Sequence, residues 1–402
     1  MAQRILPNKS HFFRKAKHHY FFVLMVTVSL LGISCATGKR YMNIDEPLPE
    51  NLSHQVPVFT LYALGDVGES NAQSATVISN LAKMSGDDTQ PGAIIFLGDN
   101  IYPAGMPPPE DIEGNSTAKE ILKTQVDALR GFDGQIMFIP GNHDWNEFKP
   151  GGLDAIRRQG DYLKNLDGLN VGMLPQNGCG GPEVIALTDE VIMIIIDSQW
   201  WIQDWTGEPE MNAGCEHKSR ESMINAFHDL VDEHANKQIL VALHHPIRSQ
   251  GPHGGYYTVR DHLFPLSKVV DWLYLPLPVI GSIYPWYRTV FGHPQDIKNP
   301  KYHSLRDAIL KDLNYPGEMI FLSGHEHNLQ YLVENKIHFI VSGAGSKQNG
   351  VANDEDLVYG HKIGGFVQLD FYPEGNILLT IFEADVDKGS VDKVFSRFIV
   401  DK

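Results

Sequence analysis

Basic residues are scarce in this chain relative to acidic ones. Its 402 residues include 33 lysines and arginines against 49 aspartates and glutamates, which gives a formal net charge of −16. Proteins that bind nucleic acid present positively charged surfaces to the phosphate backbone. We therefore expect no nucleic-acid binding. With 42% hydrophobic residues, the chain is long enough to bury a large core.

Cysteine is also rare, with three residues in the whole chain. Cys179 and Cys215 lie in polar, glycine-containing segments that read as loops. In an oxidising compartment, two such cysteines are often paired. We expect a disulfide between them if the chain is exported. Two free thiols are the alternative, because the sequence does not give their separation in space.

The N-terminus lacks an apolar run of the length that a membrane span needs. Residues 20–34 are uncharged and mostly apolar, but a spanning helix takes roughly 20 residues. The segment before His19 contains basic residues and no acidic residue. A positive segment followed by a short apolar run is typical of a secretory signal. We therefore expect residues 1–35 to be a signal peptide.

The end of that run, residues 30–35, resembles the cleavage site of bacterial lipoproteins, in which the cysteine is lipidated and becomes the new N-terminus. Ser34 supplies the small residue before Cys35. The resemblance implies export to the periplasm or cell surface and a lipid anchor on Cys35. A plain signal peptide, or a short anchor with an incidental cysteine, is the alternative. Residues 36–55 are polar and include Pro47 and Pro49, so we expect a tether there.

Five short blocks of candidate metal ligands occur along the chain, each after a strand-like apolar run. They are Gly65-Asp66, Gly98-Asp99-Asn100-Ile101-Tyr102, Gly141-Asn142-His143-Asp144, His244-His245 and Gly324-His325-Glu326-His327. In an open α/β sheet, residues beyond the carboxyl ends of the strands line one crevice. Carboxylate, imidazole, amide and phenolate groups suit hard or borderline cations. Because the blocks hold more ligands than one ion needs, they predict a dinuclear metallohydrolase.

Strand-like and helix-like segments alternate from Val58 onward. Apolar residues at helical spacing predict helices over residues 71–84, 117–131, 153–166 and 221–234, whereas the strand-like runs are continuous and rich in isoleucine and valine. This alternation indicates a parallel βαβ core, and the last hundred residues return to strands. We expect an α/β fold with two sheets in the centre and helices outside, an α/β/β/α sandwich. A single catalytic domain is predicted over residues 56–402.

An aromatic, proline-broken insertion near residues 263–303 does not fit this alternation. Pro276, Pro278 and Pro285 exclude a long regular helix there. One interpretation is an excursion that packs against the domain. The other is a lid or a membrane-contacting loop over the site, since exposed apolar patches usually mark interaction surfaces.

The five blocks, in this order, resemble the motifs of the calcineurin-like metallophosphoesterase superfamily. Most of its members have a histidine two residues after the first aspartate, but here that residue is Gly68, and Tyr102 follows Asp99 by three residues. This exchange resembles the purple acid phosphatases, in which the tyrosine binds a ferric ion. Residues 98–105, 324–332 and 342–345 look like the small, tartrate-resistant type. The resemblance extends from about Leu61 to Ser346, apart from the insertion.

The resemblance implies two metal-binding sets that share one bridging carboxylate. The ferric ion takes Asp66, Asp99, Tyr102 and His327, and a divalent ion, Fe(II), Zn(II) or Mn(II), takes Asp99, Asn142, His244 and His325. His143 matches the family's phosphate-contacting histidine and general-acid candidate. His253 falls where the family has a second active-site histidine, with a surface-loop histidine as the alternative. His245 is not expected to bind metal.

The activity that the resemblance implies is that of an acid phosphatase on small phosphomonoesters. A metal-bound hydroxide would attack phosphorus directly, and His143, with His253, would protonate or stabilise the leaving oxygen. A phosphodiesterase on the same fold is the first alternative. A non-catalytic binding protein is the second. Such a protein would be expected to have lost ligands or the catalytic histidine, whereas this chain keeps them.

Overall fold

The computed structural model describes residues 36–42, 55–206, 208, 210–268, 273–277, 280–313 and 315–400; the predicted signal peptide with Cys35 lies outside these ranges. The strands are β1 (Tyr41–Met42), β2 (Phe59–Leu64), β3 (Gly92–Phe96), β4 (Gln135–Phe138), β5 (Val171–Met173), β6 (Glu183–Ala186), β7 (Val191–Ile195), β8 (Gln238–Ala242), β9 (Met319–Ser323), β10 (Leu329–Glu334), β11 (Ile337–Ser342), β12 (Leu357–His361), β13 (Gly365–Phe371), β14 (Ile377–Asp385) and β15 (Ser390–Val400). The α-helices are α1 (Ala72–Asp87), α2 (Ile112–Asp127), α3 (Gly152–Lys164), α4 (Ser198–Ile202), α5 (Arg220–Glu233), α6 (Val259–Leu263), α7 (Ile283–Phe291) and α8 (Pro300–Leu310).

These strands form two mixed sheets. The first has the order β15-β14-β13-β2-β3-β4-β5, and the second has the order β1-β12-β10-β11-β9-β8-β7-β6. Strands β2 to β5 run parallel in the first sheet. Strands β7, β8, β9 and β11 run parallel in the second. All five blocks follow parallel strands, so their side chains collect at matching strand ends.

The central strands bury both of their faces. Leu61 and Ala63 of β2 share an inner core with Leu240 of β8, so this core joins the two sheets. Tyr62 and Leu64 point the other way and pack in the outer core with residues of α1 and α2. A strand that is covered on both sides needs a continuous apolar run rather than an alternating one. The predicted two-sheet sandwich with helices outside is therefore confirmed.

The apolar runs before the five blocks predict strands over residues 58–63, 93–97, 135–139, 239–243 and 318–322, and the observed strands β2, β3, β4, β8 and β9 lie within one residue of these bounds. Helix α2 begins at Ile112, five residues before its predicted start at Thr117, because Asp111 accepts a hydrogen bond from the Gly114 amide (3.0 Å) and caps the helix. The prediction omitted several short elements, namely β1, β5, β10, β12, α4 and α8. Helix α8 carries a readable signal, Asn299 at the cap followed by Pro300.

The first seven residues of the predicted tether differ from that expectation, because they lie against the domain. Thr37 forms a β-bridge with Val351, and β1 pairs antiparallel with β12. The edge of a sheet offers unpaired backbone groups that such a segment can use. Residues 43–54 lie outside the described ranges, so the outer boundary of the tether stays a prediction. Nowhere in the described ranges is a helix long and apolar enough to cross a membrane.

The insertion consists of short pieces rather than one long helix. Helix α6 is followed by a 3-10 helix (Pro265–Lys268), and α7 spans nine residues with Pro285 in its first turn, where the missing amide hydrogen costs no helical hydrogen bond. The Leu277 amide donates to the Leu263 carbonyl (2.8 Å), which ties residues 273–277 to α6. The insertion therefore packs on itself before α8 returns the chain to the domain.

Cys179 and Cys215 form a disulfide that closes a 36-residue separation. The Cys179–Cys215 bridge connects the segment before β6 with the segment before α5. Cys215 is buried rather than fully exposed in its loop.

We predict that the double variant Cys179→Ser/Cys215→Ser is less stable than the wild type by about 2–4 kcal/mol, because the open loop gains conformational entropy in the unfolded chain. Urea unfolding without reductant measures this difference. Wild type treated with reductant serves as the control and should match the variant. Unfolding midpoints that coincide for all three samples would contradict a stabilising bridge.

Candidate metal centre

The seven predicted metal ligands meet between the carboxyl ends of the parallel strands of the two sheets. Asp66, Asp99 and Asn142 follow β2, β3 and β4, while His244 and His325 follow β8 and β9. All five are at most 2% exposed. Within the described residues, Asp66, Asp99 and His244 each offer a ligand atom within 4.8 Å of the other two. Asp66 and His325 are 259 positions apart in the sequence, so the fold brings together donors that are distant along the chain.

The first predicted set is centred on the hydroxyl of Tyr102. This oxygen lies 3.1 Å from Asp66 Oδ1 and 3.0 Å from Asp99 Oδ2. It also lies 3.2 Å from His327 Nε2, which in turn is 3.3 Å from Asp66 Oδ1. Four donor atoms therefore face one another across a single small space.

The second predicted set is centred on the amide oxygen of Asn142. Asn142 Oδ1 lies 3.1 Å from His244 Nε2 and 3.0 Å from His325 Nδ1. His244 Nε2 is also 3.5 Å from Asp99 Oδ1, whereas Asp99 Oδ2 faces Tyr102. The two oxygens of Asp99 thus point into the two sets, as a bridging carboxylate requires.

Backbone carbonyls fix the orientation of two of these imidazoles. The Nδ1 atom of His244 lies 2.7 Å from the Leu97 carbonyl, and the Nε2 atom of His325 lies 3.0 Å from the Gln295 carbonyl. Because a carbonyl oxygen only accepts, each of these nitrogens carries the proton. The other nitrogen then presents its lone pair to Asn142. Histidines that bind metal commonly have this arrangement.

Gly68 explains why a tyrosine, and not a histidine, completes the first set. A Cβ atom at Gly68 would lie 2.6 Å from the backbone carbon of Asn100 and 2.6 Å from the nitrogen of Ile101. No larger residue fits there without a shift of the backbone of the second block. Tyr102 fills the role from the opposite side.

The backbone is strained at four of the predicted ligands. Asp66, Asp99, His325 and His327 have φ values of 59°, 53°, 71° and 48°. This left-handed conformation is costly for residues with a side chain and tends to persist at functional sites. It turns each side chain from the strand direction into the space between the sheets.

The charges of the centre leave a demand for cations. Burial raises the pKa of Asp66, with His244 opposing this effect and Asp99 adding to it. Burial also raises the pKa of Asp99, but the nearby His244 and His143 outweigh it, so the pKa ends below its ordinary value. Burial, together with Lys347, lowers the pKa of His327 to about 3. A neutral His327 imidazole beside buried carboxylates fits metal binding, since metals bind the deprotonated form.

His143 lies at the border between the centre and solvent. Its backbone amide donates to Asp99 Oδ1 (2.9 Å), and its Nδ1 donates to the Pro103 carbonyl (2.5 Å). Its Nε2 is 3.9 Å from Asp99 Oδ2. The ring therefore presents Nε2 to the space above the centre, where a substrate oxygen would lie.

His253 is held in place by Asp296 and Arg288 of the insertion. The sequence pattern did not indicate these two residues. Its Nδ1 lies 3.0 Å from Asp296 Oδ1, and its ring centroid lies 4.0 Å from that of His325. Asp296 in turn accepts hydrogen bonds from the guanidinium of Arg288 on α7, one of them at 2.9 Å. Arg288 and Asp296 are both largely buried. The insertion therefore anchors the ring of His253.

A cavity of about 830 Å³ lies beside the centre. The domain contributes Asn142, His143 and His253 to its wall, and the insertion contributes Tyr284 and Arg288. Pockets of this size accept drug-sized ligands. The structure thus brings both predicted catalytic histidines and part of the insertion to the same cavity.

Two acids that lie inside the blocks organise the loops and do not face the two predicted metal sets. Asp144 is buried and accepts hydrogen bonds from the backbone amides of Asn100 (3.0 Å) and Gly141 (2.8 Å). Glu326 accepts hydrogen bonds from Ser249 Oγ and from the Gly254 amide. The signal for both was present in the sequence, because Asp144 directly follows His143 and Glu326 stands between His325 and His327. His245, whose Nδ1 is 2.8 Å from Ser198 Oγ, makes no contact with Asn142.

Comparisons with known proteins agree with this geometry. The family profile described as calcineurin-like phosphoesterase matches residues 59–343. Among solved structures, the chain is similar to GAP50, the anchor in the inner membrane complex of Plasmodium (14% identity, TM-score 0.52), over 86% of this chain and 89% of that one. It is also similar to a purple acid phosphatase from yellow lupin (Lupinus luteus) seeds (14% identity, TM-score 0.50), over 84% of this chain and 53% of that one. The chain thus spans about half the length of the lupin protein. Likenesses at this identity show the fold alone. No curated protein matches the chain by sequence.

We predict that His244→Ala lowers the metal content from about two ions per chain to about one, because the second set loses an imidazole ligand. Elemental analysis of purified protein measures this content. His228→Ala is the control, since His228 is a partly buried histidine of α5 whose Nε2 donates to the Ala308 carbonyl of α8 (2.9 Å). Equal metal contents in the two variants would contradict the assignment of His244.

Proposed function

The chain belongs to the calcineurin-like phosphoesterase family, and we propose that within it the protein is a dinuclear-metal acid phosphatase that hydrolyses phosphomonoesters. Members of this superfamily are phosphoester hydrolases. The cluster of Asp66, Asp99 and His244 supports a metal site. The narrower proposal rests on one observation, the place of the Tyr102 hydroxyl between Asp66, Asp99 and His327.

The Tyr102 hydroxyl supports a ferric ion in the first set. Burial, with Asp66 and Asp99 nearby, raises the pKa of Tyr102 well above its ordinary value. A phenolate is therefore disfavoured at this place unless a strongly charged cation offsets the two carboxylates. A trivalent ion suits that demand better than a divalent one. We assign Fe(III) to the first set and Fe(II), Zn(II) or Mn(II) to the second.

Two bound cations would lower the pKa of a water molecule and neutralise the charge that develops on the phosphoryl group. The residues of the chain do the rest. Asp99 holds the two sets together, and Asn142 gives the second set a neutral oxygen. His143 presents Nε2 above the centre, in a position to give a proton to the leaving oxygen.

The cavity wall supports an anionic substrate. Arg288, Lys301, His143 and His253 line it, against the two acids Glu147 and Asp204. Arg288 is already paired with Asp296, so it holds His253 in place and lowers the negative potential there. A phosphomonoester with an organic group of moderate size fits this volume and charge.

Export and anchoring belong to the same proposal. We infer that residues 1–35 direct the chain out of the cytoplasm and that lipid on Cys35 retains it at the periplasmic or cell-surface side of a membrane. The bond between Cys179 and Cys215 supports an oxidising compartment.

We predict that the oxidised wild-type protein is pink to purple, because charge transfer from a tyrosinate to Fe(III) absorbs visible light, and that Tyr102→Phe is colourless. Visible absorption spectra with parallel iron analysis measure this. Tyr62→Phe is the matched control, since Tyr62 is a buried tyrosine that donates to Asp88 instead (2.8 Å). A colourless wild type that contains stoichiometric oxidised iron would refute the tyrosinate assignment.

We predict that the wild type hydrolyses an aryl phosphomonoester at acidic pH faster than the corresponding bis-aryl diester. His143→Asn should lower kcat by about 10²-fold for an alkyl phosphate. It should lower kcat less for a nitrophenyl phosphate, whose leaving oxygen needs no proton. Steady-state kinetics on the three substrates measure these ratios.

The alternatives give different results in the same assay. Preference for the diester would favour a phosphodiesterase, and no turnover of any substrate by the metal-loaded protein would favour a binding protein. His303→Asn is the control, because His303 lies exposed on α8 beside Asp307. A loss in His143→Asn that is equal for all leaving groups would contradict its role as the general acid.

A further inference from the structure

Exposed apolar side chains concentrate in one part of this protein. In the described ranges, nine of the fourteen large hydrophobic residues with exposed side chains lie within residues 259–287. Among them, Ile280, Ile283 and Trp286 are 64%, 60% and 60% exposed. A soluble monomer rarely shows so dense an apolar patch without a partner for it.

Helix α7 has two faces with different surroundings. Ile283, Trp286 and Tyr287 are spaced by three and four residues, so they lie on one side of the helix, and each is at least 54% exposed. Tyr284 and Arg288 lie on the other side and line the cavity next to the metal centre. The helix therefore separates the cavity from an apolar outer face. We use the name apolar insertion face for Ile280, Ile283, Trp286 and Tyr287 together with Val259 and Leu275.

The segments that carry the apolar insertion face are tied to one another by their neighbouring residues. The Leu277 amide binds the Leu263 carbonyl of α6, and the guanidinium of Arg260 lies 4.8 Å from the ring centroid of Tyr274. The face also differs in charge from the rest of the chain. Residues 272–295 include no aspartate or glutamate, although the whole chain has 49. Such a surface meets little repulsion from the phosphates of lipid headgroups.

The N-terminal segment enters the structure beside this unit. The Ala36 amide donates to the carbonyl of Tyr257 (3.0 Å), and Thr258 then caps α6. In the sequence, Ala36 directly follows Cys35, and the apolar run of residues 20–34 precedes that cysteine.

Residues 36–42 hold this entry point in place. Thr37 and Val351 exchange backbone hydrogen bonds of 2.8 and 3.0 Å. The guanidinium of Arg40 donates to both oxygens of Glu383, which is 3% exposed. Burial raises the pKa of Glu383, but the hydrogen bonds from His361 and Arg40 outweigh it and keep the pKa below its ordinary value. Residues 36–42 are thus fixed to the domain beside the apolar insertion face.

We propose that the apolar insertion face docks into the headgroup region of a lipid bilayer, an inference that rests on the membrane anchoring through Cys35 proposed above. Tyrosine, tryptophan and isoleucine suit that region, since aromatic side chains are enriched at membrane–water interfaces. Two contacts with the bilayer fix the orientation of the protein, and the cavity mouth behind α7 then lies close to the membrane surface. This docking requires no phosphatase activity.

The test uses the full chain, reconstituted in vesicles of phosphatidylcholine and phosphatidylglycerol that contain a lipid with a photoreactive acyl chain. After illumination, mass spectrometry locates the lipid adducts. We expect adducts on residues 273–287, and detection of the lipidated N-terminal peptide that begins at Cys35 is the internal positive control for anchoring. Unlabelled insertion peptides in vesicles that hold the lipidated protein would overturn the proposal.

Matched variants distinguish a specific effect of the apolar insertion face from the effect of any exposed apolar residue. Ile280→Glu/Ile283→Glu should lower adducts on the insertion by about tenfold, because each substitution removes apolar burial, and should leave the amount of vesicle-bound protein unchanged. Ile112→Glu is the control, since Ile112 is 80% exposed on α2, and it should alter neither the adduct yield nor the amount of bound protein. Circular dichroism verifies the fold of each variant. If the insertion is labelled in neither vesicles nor native membranes but is shielded from a water-soluble reagent in the latter, the occupant is a protein and the proposal fails.

Discussion

The buried carboxylates of Asp66 and Asp99 set the constraint on which the centre of this protein depends. Both lie between two sheets where water is excluded, and an uncompensated charge in such a place is costly. Their pKa values move in opposite directions because His244 and His143 stabilise the charge of Asp99. Bound cations would remove the conflict. Four of the predicted ligands have a left-handed backbone conformation. This backbone strain is explained if the conformation directs their donor atoms toward bound cations.

The sequence was sufficient for the part of the centre that is built from strand ends. An apolar run that is long enough for a strand and followed by Gly-Asp or Gly-Asn-His fixes both the position and the direction of the side chain. This worked because β2, β3, β4, β8 and β9 are parallel and buried on both faces, so their patterns are strong and local. The same logic predicted the two-sheet fold. For His245 it was the family resemblance, and not the strand pattern, that implied no metal binding; its Nδ1 lies 2.8 Å from Ser198 Oγ.

The sequence was insufficient where the geometry depends on contacts between distant loops. Asp296 lies 43 residues after His253, in a proline-broken segment with no periodic pattern, so nothing local indicates that the two side chains meet. Arg288 belongs to a nine-residue helix on which Ile283, Trp286 and Tyr287 are exposed, which inverts the usual rule for finding a core. The segment of residues 36–42 has the composition of a linker, and only the open edge of β12 makes it a strand.

The carbonyl of Gln295 has a consequence that reaches beyond the orientation of one ring. It belongs to the insertion, yet it accepts the proton of His325, a predicted ligand of the second ion. The insertion and the metal centre are therefore thermodynamically linked. A displacement of the insertion by a lipid surface or by a bulky substrate would shift the tautomer balance of His325 and with it the affinity for the second ion, while the first ion, bound through Tyr102 and His327, would be insulated. In this protein, the occupancy of the second metal position would therefore depend on whether the insertion is in contact with a lipid surface or a bulky substrate.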